Sequence, residues 1–486
     1  MRPTVRFLDD QLIERIIDEA RQILCKLGIT VYNDAVLTLL GDHGAAVETD
    51  RQHVLLTEDI IDKALERAPA AFKLYDVHGR EAADLSGFNV NFVPGSAAIY
   101  FLEAGAVDSR PAKAADYVAY AKIVDQLDYI AAASTAMVPS DVHERISDSY
   151  RLYLSLMLGR KPVVTGVFSL EAFELMKNLQ VAVRGSEEKL KKLPLTVFSA
   201  CPTSPLKWSD ITSQNLLDCA RYGIPVEYIA MPLSGFIAPV TLVGTLIQHT
   251  AETLSGLAIS QLAYPGAPVL YGGSPAVFDI RYETTPMGAI ETMMIDCAYN
   301  EIGKKLGLPT QAYISLSDAK QVDFQAGLES SMGATLAALA GINSISGPGM
   351  LDFENCLSLE KLVADNEICG MVLRMIRGIE PKEDFPSRAI FEELLAEQHL
   401  LIADHTRKYL RQEHHFPGPV IERANRARWQ EEGSRNFASR AESEVERLLG
   451  AWQPNGLTDD IRKEMSSLME AEARRVGMER LPGIDL

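Results

Sequence analysis

From about residue 95 to about residue 380 the sequence repeats one beat, a short β-rich run followed by a helical run. The β-rich runs are Ala97–Leu102, Ile130–Met137, Pro162–Phe168, Leu195–Ala200, Pro225–Met231, Pro268–Gly272, Thr310–Ser315 and Ile342–Ser346. Helical patterns fall near 112–126, 142–158, 170–183, 209–221, 242–263, 288–306, 325–340 and 358–377. Strands that alternate with helices imply parallel βαβ units, because a parallel neighbour needs a crossover long enough to hold a helix. Eight such units predict an α/β fold of the (β/α)8 TIM-barrel type better than an open, doubly wound sheet, which stays the alternative.

The flanks differ from this repeat. Residues 1–90 read as an N-terminal α+β cap, with helices over Leu12–Leu27 and Val31–Leu40 and a third begun by Thr57 as its cap. A short strand is expected at Phe72–Tyr75. Residues 91–380 hold the barrel. Residues 381–486 read as a helical C-terminal extension, with helices over Phe391–His399, Val420–Ser434 and Ala438–Trp452, packed on the barrel or on another subunit. A length of 486 residues would otherwise suggest about three domains at roughly 150 residues each.

Charge and cysteine usage exclude several functions. The formal net charge is −19, which leaves no basic surface for a phosphate backbone or an anionic membrane. There is no apolar signal-peptide core and no run long enough to span a bilayer. The six cysteines form no CxxC and no tight ligand spacing, which fits a reduced, cytoplasmic setting without a structural zinc site. A homo-oligomer is expected.

In a barrel the chemistry sits where the strands end, so the segments after each strand carry the candidates. They are rich in Gly, Pro, Ser and aromatics and poor in His and Cys. No His-based metal hydrolase pattern, GxSxG elbow, Walker loop or GxGxxG fingerprint follows a strand. Tyr100, Phe101, Phe236 and Tyr271 are candidates to cage an ammonium group through cation–π attraction, and barrel packing is the competing reading. Ser274, Ser346 and the Gly347–Gly349 backbone offer groups to an anion, against a plain tight-turn role. Asp318 and Lys320 stand at the rim, where they could form an ion pair. His405, Glu413, His414 and His415 form a dense cluster that suits a helix-face salt bridge or a subunit contact better than a metal.

Several longer motifs are more specific together than any one alone. They are SPLKWSD at 204–210, APVTLVG at 238–244, PGAPVLYGGSPAVFD at 265–279, GLPTQAYISLSDAKQVDFQAGLES at 307–330, LAGINSISGPGML at 339–351 and LRQEHHFP at 410–417. With these the chain resembles the trimethylamine methyltransferase family over nearly its whole length, and in particular its pyrrolysine-lacking, glycine betaine-type branch, since every position is a standard residue. The resemblance implies a (β/α)8 barrel and transfer of a methyl group from a quaternary or tertiary methylamine to cob(I)alamin. The cobalamin would be carried by a separate corrinoid protein, in a setting such as methanogenesis. It also implies an ammonium cage of Tyr100, Phe101, Phe236 and Tyr271, with a carboxylate held by Ser274, Ser346, Gly347 and Gly349. Asp318 and Lys320 are then the catalytic candidates that order the rim near the corrinoid. Two departures point away from trimethylamine. Ser346-Gly347-Pro348 stands where many members carry a histidine, and Phe236 lies in a loop that is often small. A barrel methyltransferase using a folate or a thiol, and a non-catalytic betaine-binding protein, are the other readings.

Overall fold

The computed structural model describes residues 2–482. The repeated units are eight strand–helix pairs: β1 Asn91–Val93 and α1 Ala114–Val124, β2 Ala133–Ser134 and α2 Ser147–Leu158, β3 Val163–Gly166 and α3 Ala172–Arg184, β4 Thr196–Ala200 and α4 Asp210–Tyr222. They continue with β5 Val226–Tyr228 and α5 Leu242–Ala263, β6 Val269–Leu270 and α6 Ile290–Lys305, β7 Gln311–Tyr313 and α7 Phe324–Ala340, β8 Ser344–Ser346 and α8 Leu359–Ile376. Five strands pair in the order β6-β5-β4-β3-β2 and three in the order β7-β8-β1, all parallel. The continuous ladder expected of a barrel is interrupted in two places. Single parallel bridges span both gaps, Phe92 to Ile130 between β1 and β2 and Tyr271 to Thr310 between β6 and β7.

The first strand differs from the sequence expectation. Tyr100–Phe101 belongs to a separate small sheet with Arg110–Pro111, Cys356–Leu357 and Met350–Leu351. β1 lies earlier and pairs in register with β8, Asn91 opposite Ser344 and Val93 opposite Ser346. Gly95 separates the two runs, and a Cβ there would meet the Met350 side chain at 2.3 Å. The run at 97–102 is apolar because it builds this outer sheet.

The end at which the strands begin is plugged. A hairpin of Lys73–Tyr75 and Glu81–Asp84 sends Leu74, Ala83 and Leu85 against Val93, Ala132, Val164, Val197 and Leu270. Tyr75 and Val77 donate to the carbonyls of Pro194 and Arg160, just before β4 and β3. Arg184 fastens the hairpin through the carbonyls of Tyr75 and Asp76.

The N-terminal segment wraps α5. Helix Asp10–Lys26 is capped by Asp9 and buries Ile13, Ile16, Ile17, Ala20 and Leu24, one stripe at helical spacing. That stripe contributes on the order of 10 kcal/mol as an upper estimate of area removed from water. It lies on α5, as does the Thr57-capped helix Glu58–Arg67. Covered by these helices as well as by its neighbours, α5 is buried on nearly every side. The β-branched run Ile29–Val31 is a strand rather than the start of a helix. It pairs with His53–Leu55 and, in parallel, with Lys207–Trp208, and helix Asp34–Asp42 begins only at its Asn33 cap.

The tail holds the helices Arg388–Glu397, Asp404–Glu413, Arg426–Glu431, Phe437–Ala451 and Asp459–Arg475. The last two pack on the helical layer, Phe437–Ala451 on α8 and α1, Asp459–Arg475 on α3 and α2. Among the described residues no helix is long and apolar enough to cross a membrane.

Candidate active site

Side chains alternate along a strand, so the face that meets the plug at one end carries the functional layer above it. On β4 Val197 packs on the plug, and Ser199 and then Cys201 follow on the same face. The register sets Ser199 opposite Glu227 of β5, and the Ser199 hydroxyl donates to Glu227 Oε1 at 2.7 Å. Glu227 is fully buried, and its Oε2 has no hydrogen-bond partner. Burial pushes its carboxyl up to about 7, against the pull of the Ser199 hydrogen bond. On β7 Gln311 and Tyr313 share a face. Gln311 Oε1 accepts the Gly273 N–H at 3.2 Å, while its Nε2 is buried and unpartnered. On β8 Ser346 sits opposite Tyr313 in register, its hydroxyl also buried without a partner.

A second acid enters from the segment after β8. Glu354 Oε1 accepts the Ser96 N–H at 3.0 Å, and the Ser96 hydroxyl meets the Tyr313 hydroxyl at 2.8 Å. Burial, with Glu227 nearby, lifts Glu354 to about 8 despite the Ser96 N–H. Cys201 is accessible, yet burial first and then Glu227 and Glu354 push its thiol up to about 12. An accessible side chain in such dry surroundings is what the wall of an enclosed interior produces. Burial first, and then the same two acids, raise the Tyr313 phenol. Glu227, Glu354, Cys201 and Tyr313 therefore share one interior, above the apolar plug. Among the described residues no Lys, Arg or His forms a salt bridge with either acid.

Backbone strain collects at the same end of the strands. Asp352, Phe353 and Glu354 are three consecutive non-glycine residues with φ of 51°, 56° and 69°. Ala97 and Ser315, which follow β1 and β7, have φ of 65° and 73°. Left-handed conformations cost roughly 1–2 kcal/mol per such residue and persist where surrounding structure enforces them. Here they deliver the Glu354 carboxylate inward.

The residues predicted from sequence divide clearly. Tyr271 does not face the interior. It is fully buried among the helices, its hydroxyl on Thr250 at 2.9 Å and its ring beside His249 and Tyr299. Phe101 is buried, with the Arg110 guanidinium already 5.2 Å from its ring centre. Tyr100 is partly exposed in the outer sheet. Phe236 is 65% exposed and stacked on Phe278 at 4.9 Å, in the loop after β5. The four do not form a closed cage.

The anion-holding set is also engaged elsewhere. Gly347 N–H donates to the Val93 carbonyl at 3.1 Å, Gly349 N–H to Asp365 at 2.7 Å and Ser274 N–H to the Ala230 carbonyl at 3.0 Å. A Cβ on Gly347 would lie 2.3 Å from the Ile314 carbonyl, so that glycine is required for close approach of two strands. Of the set, Ser346 keeps a buried hydroxyl without a hydrogen-bond partner.

Asp318 and Lys320 do not pair through their side chains. The Asp318 carboxylate accepts the N–H groups of Met287 and Gly288 at 3.0 and 2.8 Å, and burial raises it to about 6. Lys320 reaches Asp352 at 2.8 Å and lies 3.8 Å over the Phe353 ring. Lys320 thus braces the strained turn that carries Glu354. In the tail, Glu413 pairs with Arg374 at 3.4 Å, and His415 lies against Tyr129. Among the described residues no three potential ligand side chains converge to hold a metal.

Sequence reasoning missed Glu227, Gln311, Tyr313 and Glu354. Glu227 had a signal, a lone acid inside the otherwise apolar run Pro225–Met231. Gln311 and Tyr313 also alternate within their strand. Glu354 had none, since only the fold after β8 brings it in.

Comparison with known proteins agrees with this architecture. Residues 1–477 match the family model described as Trimethylamine methyltransferase (MTTB). A trimethylamine methyltransferase of Methanosarcina barkeri is 31% identical over 470 residues, covering 92% of this chain and 91% of the relative. A trimethylamine methyltransferase of Desulfitobacterium hafniense (strain DSM 10664 / DCB-2) is 27% identical, covering 98% and 95%. The glycine betaine methyltransferase of Desulfitobacterium hafniense (strain Y51) is also 27% identical, covering 98% and 99%. Among solved structures, the Methanosarcina barkeri monomethylamine methyltransferase superposes with a TM-score of 0.53 at 12% identity, over 98% of this chain and 90% of that one. The chain belongs to the trimethylamine methyltransferase family.

Proposed function

We propose that the protein moves a methyl group from a quaternary or tertiary methylamine to the cobalt of a separate corrinoid protein. The observation that carries this reading is the acid pair of fully buried Glu227 and half-buried Glu354, neither in a salt bridge among the described residues, in a chain of a methyltransferase family. An unpaired buried carboxylate is costly, and a bound ammonium is the counter-charge that offsets the cost. Relatives named for trimethylamine and for glycine betaine support the substrate class. We read the eight strands, bridged across both gaps, as a (β/α)8 barrel, with Glu227 inside β5 and Glu354 in the segment after β8, toward the end where barrel chemistry occurs.

Phe168, Phe236, Tyr282 and Phe324 are exposed on segments that follow the strands, an apolar rim suited to a docked corrinoid. When bound, a corrinoid would supply a Co(I) nucleophile for the methyl carbon, with the C–N electron pair staying on nitrogen. The chain's own residues bind and orient. Glu227 and Glu354 hold the ammonium, the plug hairpin closes the far end, and one methyl group is left facing the opening. A quaternary nitrogen departs as a neutral amine, so no general acid is needed.

The test is incubation with a corrinoid protein reduced to Co(I) and a panel of methylated amines. The expected result is a demethylated amine by mass spectrometry with matched loss of the Co(I) absorbance. No transfer from any member sinks the proposal, and transfer to a folate or thiol instead would replace it. Phe236→Ala is expected to weaken substrate binding by about 1 kcal/mol if its face closes over the ammonium. An unchanged KM would remove it from the binding wall.

A further inference from the structure

We propose that the interior is specific for an ammonium cation that carries no carboxylate, such as tetramethylammonium, and discriminates against betaines. This rests on the methylamine reading above and narrows it. A betaine needs two complementary groups, one for its ammonium and one for its carboxylate. The interior offers only the first.

Glu227 Oε2 is buried with no partner, and Glu354 approaches from the opposite segment. The groups that face these acids are the Cys201 thiol and the Tyr313 phenol, with the Tyr299 phenol behind Glu227, and none of them is a cation. Nearby cations are each paired with an acid: Lys320 with Asp352, Arg110 with Asp116 and Glu103, Arg151 with Asp148, Arg281 with Asp279. The N–H groups of Ser274, Gly347 and Gly349 are used within the fold. Ser346 Oγ and Gln311 Nε2 are buried without partners and no hydrogen bond engages the Ser274 hydroxyl, all of them neutral groups suited to a hydroxyl or to water. A substrate carboxylate here would stand beside two acids in a dry interior without a counter-charge, which disfavours it strongly.

Isothermal calorimetry on the chain alone at pH 8.5 tests this with tetramethylammonium and glycine betaine as probes. Tetramethylammonium is expected to bind at least about 30-fold more tightly, a preference that like-charge exclusion readily supplies. Its affinity should rise as pH increases from 6 to 8, because both acids must ionise to hold a cation. Glu227→Gln and Glu354→Gln should each shrink the preference and flatten that rise, and two variants guard against one that misfolds. Equal or tighter binding of glycine betaine, or no binding of tetramethylammonium, overturns the proposal. Demethylation of betaine by the same preparation would leave the broader methyl-transfer reading standing. Absence of methyl transfer from every amine, with the binding preference intact, would overturn that reading and leave the cation selectivity in place.

Discussion

Glu227→Gln is expected to lower kcat/KM for methyl transfer by roughly 10²-fold, about 2.7 kcal/mol of lost stabilisation. Glutamine keeps the shape of the side chain and can still accept from Ser199, so the change isolates charge. The fold should be unharmed, because burial already favours the neutral form of this carboxyl and it has no cation to lose. The wild-type rate should climb with pH through about 7 as Glu227 ionises, since only the ionised form holds the ammonium. That limb should flatten in the variant to the part that Glu354 contributes, and the two proteins should converge below about pH 6. Steady-state rates across pH check this. A kcat/KM within threefold of wild type at pH 8 would take Glu227 out of the site.

Lys361→Met carries the largest expected loss of stability. Lys361 and Asp365 are both buried on α8, their ion pair at 2.5 Å, with Ser330 as a further partner of the lysine at 2.7 Å. Asp365 also receives the Gly349 N–H, so the pair fixes the turn after β8. Removing the lysine strands a buried carboxylate, a change that costs roughly 3–5 kcal/mol. The denaturant midpoint should fall accordingly. Replacing Asp365 by Asn in the same chain should recover much of the loss, because the stranded charge is then gone. A loss below about 1 kcal/mol would mean that the turn is held by other contacts.

The eightfold rhythm was legible because each helix buries a long apolar stripe and each strand is a short β-rich run between breakers. Register was not. Tyr271 looks like a mouth residue when strand ends are read as a line, but one step of alternation sends it outward to Thr250 and Tyr299. Glu227 was passed over for the converse reason, since a charge inside an apolar strand reads as an irregularity until its face is known. The glycines after β8 read as an anion cradle by composition. Their N–H groups serve the fold, through contacts with Val93 and Asp365 that lie far away in sequence. Glu354 depends on three left-handed residues in a row, a conformation no local propensity favours.

The hairpin at residues 73–84 has a kinetic consequence. A vessel stopped at one end has a single doorway, which in the proposed transfer the small amine and the bulky corrinoid domain would both have to use. The larger guest, standing in the doorway, would let nothing else pass. The proposed transfer would therefore have a compulsory order, with the amine entering first and the carrier arriving second. The carrier would also have to leave before the spent amine came out.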